Sequence, residues 1–204
     1  MIDEDEPIKL DQRIINWEHE FPSTKDEKEM ERQVNLYKAL MLRRQQPNFA
    51  LDPIFQAAYC YFYGFRGAYN KDEWLTKYFE LMNNMQVGRK YDIKTEVMDK
   101  LGLKNGPSYA SKLLHTVDSK LPIFDSMVKR AFKSKKTDLE FYKELALNLD
   151  KLLLKEEIEK AIGRFEDRYK TGNSIKSLDF IIWQIGKNDD KKENDDKKGK
   201  RRAR

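Results

Sequence analysis

Apolar side chains recur every three or four positions along most of the chain, which is the spacing of one face of an α-helix. The clearest example runs through Met30, Val34, Tyr37 and Met41, and a Ser-Thr pair at 23–24 precedes it as a helix cap. Acidic residues fill its first turn and two arginines close it, in the order that the helix dipole favours. No stretch alternates convincingly as a β-strand does, so the pattern predicts an all-α protein.

The same pattern predicts further helices on both sides of this one. Their expected bounds are 11–21, 54–65, 72–84, 92–101, 139–155 and 175–185, and 156–169 either continues the helix before it or forms a separate one. Segment 54–65 is apolar almost all round, which predicts a central, buried helix. Residues 187–204 have almost no apolar side chains, so we expect a helical domain over 1–186 and a disordered, charged tail over 187–204.

Composition narrows the class of protein. Charged residues make up 37% of the 204 positions and hydrophobic ones 39%, as in a soluble globular protein of one domain or two small lobes. No apolar run is long enough to cross a bilayer and the first residues carry no secretory signal, so we expect a cytoplasmic location, or a nuclear one in a eukaryote. One cysteine and two histidines offer little material for a disulfide, a zinc site or an iron–sulfur cluster, and we expect neither metal nor cofactor.

The positive charge is concentrated in two segments. The formal net charge is +5, and 187–204 alone contributes nine basic and five acidic residues. Segment 104–136 carries eight basic and two acidic residues, a net charge of +6 on an otherwise acidic body. A localised basic stretch of this kind is typical of a surface that binds nucleic acid, although a lysine-rich helix is also a common solvated face.

Within this basic segment the stretch "GPSYASKLLHTVDSKLPIFDSMVKRAF", residues 106–132, contains a candidate site. Gly102 ends one helix, and Pro107 or Ser108 begins the next after a tight turn, a corner that suits a phosphate. Ser108, Lys112 and His115 share one polar face of that second helix. A proline-containing turn then presents Asp125 directly before another, basic helix.

These motifs resemble the helix–hairpin–helix superfamily of base-excision DNA glycosylases. "KNGPSYA" (104–110) is similar to the family's hairpin, and "LPIFDSMVKR" (121–130) to the turn that carries its catalytic aspartate. The resemblance covers about 30 residues and implies a two-lobed helical bundle with a cleft between the lobes. The chain departs from the pattern at Lys104, where the family has its first hairpin glycine, and it lacks the cysteine cluster of some members.

The resemblance implies a function and a set of site residues. It points to a base-excising glycosylase that binds double-stranded DNA as a monomer, with Asp125 as the carboxylate that stabilises the sugar cation or orients water. Ser108 stands where strand-cutting members have a lysine, which implies base release without strong strand cleavage, and Lys112 one turn on is a candidate substitute nucleophile. The expected DNA-binding residues are Lys104, Asn105, Gly106, Ser108, Lys129, Arg130 and Lys133.

Each of these assignments has a structural alternative. Asp125 and Ser108 also suit helix caps, and Lys112 also suits a surface position. For the whole chain the alternative to an enzyme is a non-catalytic helical module that binds nucleic acid or protein through the same basic corner. A purely structural helical protein is the third interpretation.

Overall fold

A computed structural model describes residues 9–65, 72–104 and 106–202, and within them it contains helices and the loops between them, with no strand. The predicted all-α class is therefore confirmed. The α-helices follow in the order α1 (Leu10–Ile15), α2 (Thr24–Arg43), α3 (Pro53–Phe62), α4 (Asp72–Asn83), α5 (Ser108–Val117), α6 (Ser126–Ala131), α7 (Asp138–Leu153), α8 (Glu156–Tyr169) and α9 (Ser174–Arg202). Trp17–Glu20 and Phe49–Leu51 form 3₁₀ turns, and Ile93–Met98 forms a π-helical turn.

Local sequence signals account for where several helices begin. Ser23 caps α2 by accepting a hydrogen bond from the backbone N–H of Asp26. Asp52 caps α3 in the same way, with Pro53 at the first helical position. A capping box of Thr137 and Glu140 starts α7.

The buried apolar residues of these helices form one connected core. The first half of α9 contributes buried apolar residues from Leu178 to Ile185, and α9 packs along α6 and against α1 and α8. At Gly186 the two backbones approach so closely that a Cβ built there would lie 1.9 Å from the carbonyl oxygen of Met127 in α6. This contact fixes α6, and with it the residue that precedes α6, relative to the core.

Two sequence-based expectations about the helices need correction. Helix α3 is not buried all round, because Ile54 and Tyr61 are each 62% exposed while Phe55, Tyr59 and Cys60 face the core. The predicted helix over 92–101 is reduced to the π-helical turn Ile93–Met98. None of the described helices combines the length and the apolar composition that a bilayer crossing requires.

The C-terminal segment also differs from the expectation of a disordered tail beginning at 187. Helix α9 continues through that position to Arg202. Ion pairs hold the beginning of this polar extension, since Asp189 accepts from Arg13 at 2.9 Å and Asp190 lies 2.9 Å from Arg130. This part of α9 has almost no apolar side chains, and ion pairs connect it to α1 and α6 instead.

Candidate functional site

The hairpin-like corner lies between a π-helical turn and α5. The π-helical turn leads through Gly102 and Gly106, both at positive φ, into α5, which begins at Ser108. Pro107 occupies the cap position and no side chain caps this helix, so the interpretation of Ser108 as a side-chain cap is wrong. Asn105 lies outside the described residues.

The corner is tied to the aspartate turn by a buried serine that the sequence analysis did not single out. Ser111 is fully buried, and its hydroxyl accepts a hydrogen bond from the backbone N–H of Phe124 at 2.9 Å. The same hydroxyl donates to the carbonyl of Ser108 at 3.0 Å. One side chain thus connects the start of α5 to the residue before Asp125.

Asp125 caps the short helix α6. Its backbone is extended and its Oδ1 accepts a hydrogen bond from the N–H of Met127 at 2.9 Å. The structural interpretation of Asp125 as an N-cap therefore holds. The residue is half-buried, and it also lines a cavity.

This cavity has a volume of about 280 Å³ and lies between the end of α3, the middle of α5, the turn before α6 and the first half of α9. Four of its twelve lining residues are aromatic, and its polar lining comprises two lysines, two aspartates and two residues of α2. The lining residues are Glu29, Gln33, Phe62, Tyr63, Gly64, Lys112, Ile123, Asp125, Lys176, Asp179, Phe180 and Trp183. Of the predicted catalytic residues, Asp125 and Lys112 line it and Ser108 does not.

Lys112 is a buried lysine, so the interpretation of it as a surface residue is wrong. It is 8% exposed, and α5 is buried on every side from Ala110 to the last residue of the helix, Val117. The Lys112 amine lies over the rings of Tyr63 and Tyr109, 5.8 and 5.6 Å from their centroids. Burial lowers the pKa of Lys112, and the negative charge of Asp125 opposes this effect in part.

A second lysine of the cavity is paired. Lys176 donates to Asp179 Oδ2 at 2.5 Å, with both side chains almost fully buried. Its amine lies 4.3 Å from the centroid of the Phe180 ring. Burial raises the pKa of Asp179, and the charge of Lys176 counteracts that shift. This pair was not predicted from the sequence, although two charges at i and i+3 inside the apolar run "IKSLDFIIW" were a usable signal.

His115 is buried and does not line the cavity, and both of its ring nitrogens are hydrogen-bonded. Its Nδ1 lies 2.7 Å from the carbonyl oxygen of Leu121, which can only accept, so Nδ1 carries the proton. The Tyr37 hydroxyl therefore donates to Nε2, at 3.2 Å. Burial lowers the pKa of His115 to about 3, and the nearby Lys176 charge acts in the same direction.

The predicted DNA-binding cations near the corner are partly neutralised by acids. Lys129 pairs with Asp138 at 2.7 Å, and Arg130 pairs with Asp190 and Glu193 at 2.9 and 2.8 Å. A Cβ built on Gly106 would lie 3.2 Å from Asp138 Oδ2, so a carboxylate also faces the hairpin glycine.

Lys104 and Lys133 are exposed, and no ion pair involves either of them in the described part of the chain. Of these four predicted DNA-binding cations, Lys104 and Lys133 are therefore unpaired among the described residues, and Lys129 and Arg130 are paired with carboxylates.

The described residues contain no group of three or more His, Cys, Asp and Glu side chains arranged to hold a metal ion. Comparison with protein-family models, with curated proteins and with solved structures finds no significant match for this chain.

Proposed function

We propose that the protein is a base-excision glycosylase that acts on duplex DNA and hydrolyses the bond between a damaged or modified base and its sugar. The observation that carries this proposal is that Asp125, chosen from its sequence context, lines the aromatic-walled cavity of about 280 Å³. A base-excising enzyme needs such a pocket, because the base must be rotated out of the stack before its bond to the sugar can be reached.

The size and lining of the cavity suit a single flat ring system. Pockets for drug-sized ligands span about 300–1,000 Å³, so this cavity lies just below that range. Phe62, Phe180 and Trp183 provide aromatic surface for stacking, and the buried charges provide hydrogen-bonding groups for the polar edge of a base. A cavity of about 280 Å³ is too small to enclose a large substrate.

Asp125 is held in a fixed orientation with one oxygen engaged. The cap bond uses Oδ1, and in the described part of the chain the second oxygen accepts no hydrogen bond. That oxygen is available to stabilise positive charge developing on the sugar, or to orient and deprotonate a water molecule. The cap therefore supports the catalytic interpretation of Asp125.

The corner supports a DNA partner more weakly than the cavity supports a base. Lys104 and Lys133 are available for phosphates without prior rearrangement. Lys129 and Arg130 join them when phosphate replaces their present carboxylate partners. Ser108 in the family's lysine position is consistent with base release by water.

The test is detection of free bases by mass spectrometry after incubation with a panel of duplexes, each carrying one damaged or modified base. The wild type is compared with Asp125→Asn, which preserves the helix cap because Asn caps as well as Asp. We expect base release from at least one duplex and a fall of about 10²–10⁴-fold in the variant, the range typical of a general acid–base group.

Two controls make the outcome decisive. DNA affinity and the melting temperature should be unchanged in Asp125→Asn, so that lost activity is not lost binding or folding. Tight binding of duplex DNA without base release from any duplex would overturn the proposal and favour the non-catalytic binding module.

A further inference from the structure

A second cleft, separate from the cavity at Asp125, lies between α6 and the polar extension of α9 (187–202). It has a volume of about 370 Å³. Three cations, two hydroxyls and one carboxylate line it, namely Ser126, Lys129, Arg130, Lys133, Ser134 and Glu193. Guanidinium, ammonium and hydroxyl groups are the ones that bind phosphate oxygens, so the cleft has the chemistry of a phosphate site with one acid in place.

The backbone after α6 holds one of these cations at a position that favours glycine. The N–H of Lys133 donates to the carbonyl of Arg130 at 2.8 Å, and the N–H of Ser134 donates to the carbonyl of Lys129 at 3.3 Å. In this helix-ending motif the left-handed residue is usually glycine, but here it is Lys133, with a φ of 51°. The turn therefore carries a cation at the cleft where glycine would suit the backbone better.

The extension of α9 places two carboxylates on the arginine of the cleft. Asp190 Oδ1 lies 2.9 Å from one terminal nitrogen of Arg130, and Glu193 Oε2 lies 2.8 Å from the other. These two nitrogens form the fork with which an arginine binds a phosphate. The side chains are 32%, 35% and 57% exposed for Arg130, Asp190 and Glu193, so another anion can reach and replace these pairs.

Other bonds anchor the extension without using Arg130. Asp189 accepts two hydrogen bonds from Arg13, at 2.9 and 3.0 Å, and this pair is less exposed. The Asn188 amide donates to the backbone carbonyl and to the carboxylate of Glu20, at 2.9 and 2.8 Å. These anchors keep the two acids near Arg130 when its pairs open, which gives the acids a high effective concentration.

We propose that the extension of α9 is an autoinhibitory element, in which Asp190 and Glu193 occupy Arg130 as a backbone phosphate of DNA does. Duplex DNA then engages the cleft by displacing the two carboxylates. The identity of the phosphate rests on the proposed function, because that function brings duplex DNA to this surface. The inference adds a control of DNA affinity by the chain itself.

The experiment measures the affinity of the full-length protein for a fluorescent duplex by anisotropy over a range of salt concentrations. The first variant is Asp190→Asn with Glu193→Gln, which removes both charges and keeps the size of the side chains. The matched control is Glu156→Gln with Asp167→Asn, which removes two exposed carboxylates of α8, each paired with a lysine three or four positions further along the chain.

We expect the first variant to bind the duplex about tenfold more tightly than the control at low salt, the effect of releasing two exposed ion pairs. Both variants gain the same net charge, so their difference excludes a general attraction. In an Arg130→Gln background, removal of the two acids should give only the gain of the control, because the cation that they occupy is absent.

A measurement on the wild type needs no variant to fold. Saturating duplex should speed amide hydrogen exchange over residues 188–193 and leave α8 unchanged, because a displaced extension loses the contacts that support it. A duplex that only covers this surface would slow exchange there instead.

The outcomes separate this inference from the proposed function. Tighter binding by the first variant, without base release from any duplex, would support autoinhibition and overturn the glycosylase. Base release with equal affinities of the first variant and the control, or slower exchange over 188–193, would overturn autoinhibition and leave the glycosylase standing. Absence of duplex binding by every protein would overturn both.

Discussion

The cavity and the hairpin corner both contain charged side chains, but the two sets of charges differ in burial and in pairing. In the cavity, Lys176 and Asp179 are removed from water and pair with each other, and no acidic side chain in the described part of the chain forms an ion pair with Lys112. At the corner, Lys129 and Arg130 and their carboxylate partners all stay partly in water. A buried charge is a fixed part of the structure, whereas an exposed one is available to a ligand.

This difference assigns separate tasks to the two regions. Under the proposed function, the cavity holds one base in a defined position. The corner is adaptable, and its affinity for an anion depends on how easily its carboxylates are displaced. Experiments that remove one charge at a time in each region test this division.

The largest effect is expected from breaking the buried pair. Asp179→Asn leaves the Lys176 ammonium buried without a counter-charge and should lower the free energy of unfolding by about 3–5 kcal/mol. The matched change at the corner, Asp138→Asn, breaks the exposed pair with Lys129 and should cost about 0–1 kcal/mol. Urea denaturation of both variants measures the contrast.

A double variant checks the cause of that loss. Lys176→Met combined with Asp179→Leu removes both charges and should recover most of the stability, because no unpaired charge remains. Equal losses from the cavity and corner variants would contradict the division into fixed and exchangeable charges.

The next effect concerns the contact that positions Asp125. Gly186→Ala would place a methyl group 1.9 Å from the Met127 carbonyl oxygen, so α9 and α6 must separate. We expect a loss of about 1–3 kcal/mol, typical of overpacking, and a loss of base release because Asp125 directly precedes α6. Chemical denaturation and the mass-spectrometric release assay measure the two effects.

Gly163→Ala is the matched control for that substitution. Gly163 also lies inside a helix, α8, but a Cβ there meets nothing within 4 Å. The change should stabilise the protein by about 0.5–1 kcal/mol through helix propensity and leave base release unaltered. A Gly186→Ala protein as stable and active as this control would refute the positioning role of the contact.

A smaller effect on the free energy of unfolding is expected from the buried His115 when the pH changes. The pKa of His115 is lowered to about 3 in the folded protein, against about 6.5 in an unfolded chain. Below pH 6.5 the unfolded chain therefore binds a proton that the folded protein does not. Stability should fall by up to about 1.4 kcal/mol per pH unit as the pH decreases from 6.5 towards 5, and should not depend on this group above 6.5.

The contribution of His115 to the pH dependence is separated from that of other titrating groups by comparing the wild type with a variant that lacks the histidine. Asp179, whose pKa burial raises, also takes up protons as the pH falls, with the opposite effect on stability. His115→Gln has no titrating ring, so the difference between its unfolding curves and those of the wild type reports His115 alone. A pH-independent difference between pH 5 and 6.5 would exclude the proposed linkage.

Local signals predicted much of the fold. Caps at Ser23 and Asp125 lie where the sequence indicated, because each depends on a side chain and a backbone group two or three residues apart. The tail differed from expectation, because the pairs of α9 with Arg13 and Arg130 join residues 60 or more positions apart. Periodicity does not report interactions over that distance.

The candidate site was partly predictable for the same reason. Asp125 stands in a short motif that is visible in one segment, whereas the cavity brings together residues of α2, α3, α5 and α9. The pattern placed Ser108, Lys112 and His115 on one polar face, and the structure buries Lys112 and His115 because other helices cover that face. Only tertiary packing distinguishes a solvated polar face from a buried polar site.

The smallest effect is expected at the corner, where Asp138 faces both Lys129 and the hairpin glycine. Asp138→Asn frees one cation for phosphate, so duplex affinity should rise a few-fold at low salt. The slope of the logarithm of the binding constant against the logarithm of salt should steepen by about 0.9, the value for one additional phosphate contact. Fluorescence anisotropy over a range of salt concentrations measures both quantities.

Asp167→Asn changes the net charge equally at a position in α8 that pairs with Lys170 and is remote in sequence from the corner. It should leave the slope unchanged, because a diffuse change of charge creates no phosphate contact. If both variants shift affinity alike, the interaction with DNA is a general attraction and the corner is not its contact point. If only Asp138→Asn steepens the slope, the corner binds phosphate, and its present ion pairs are competitors that DNA displaces, while those of the cavity remain in place.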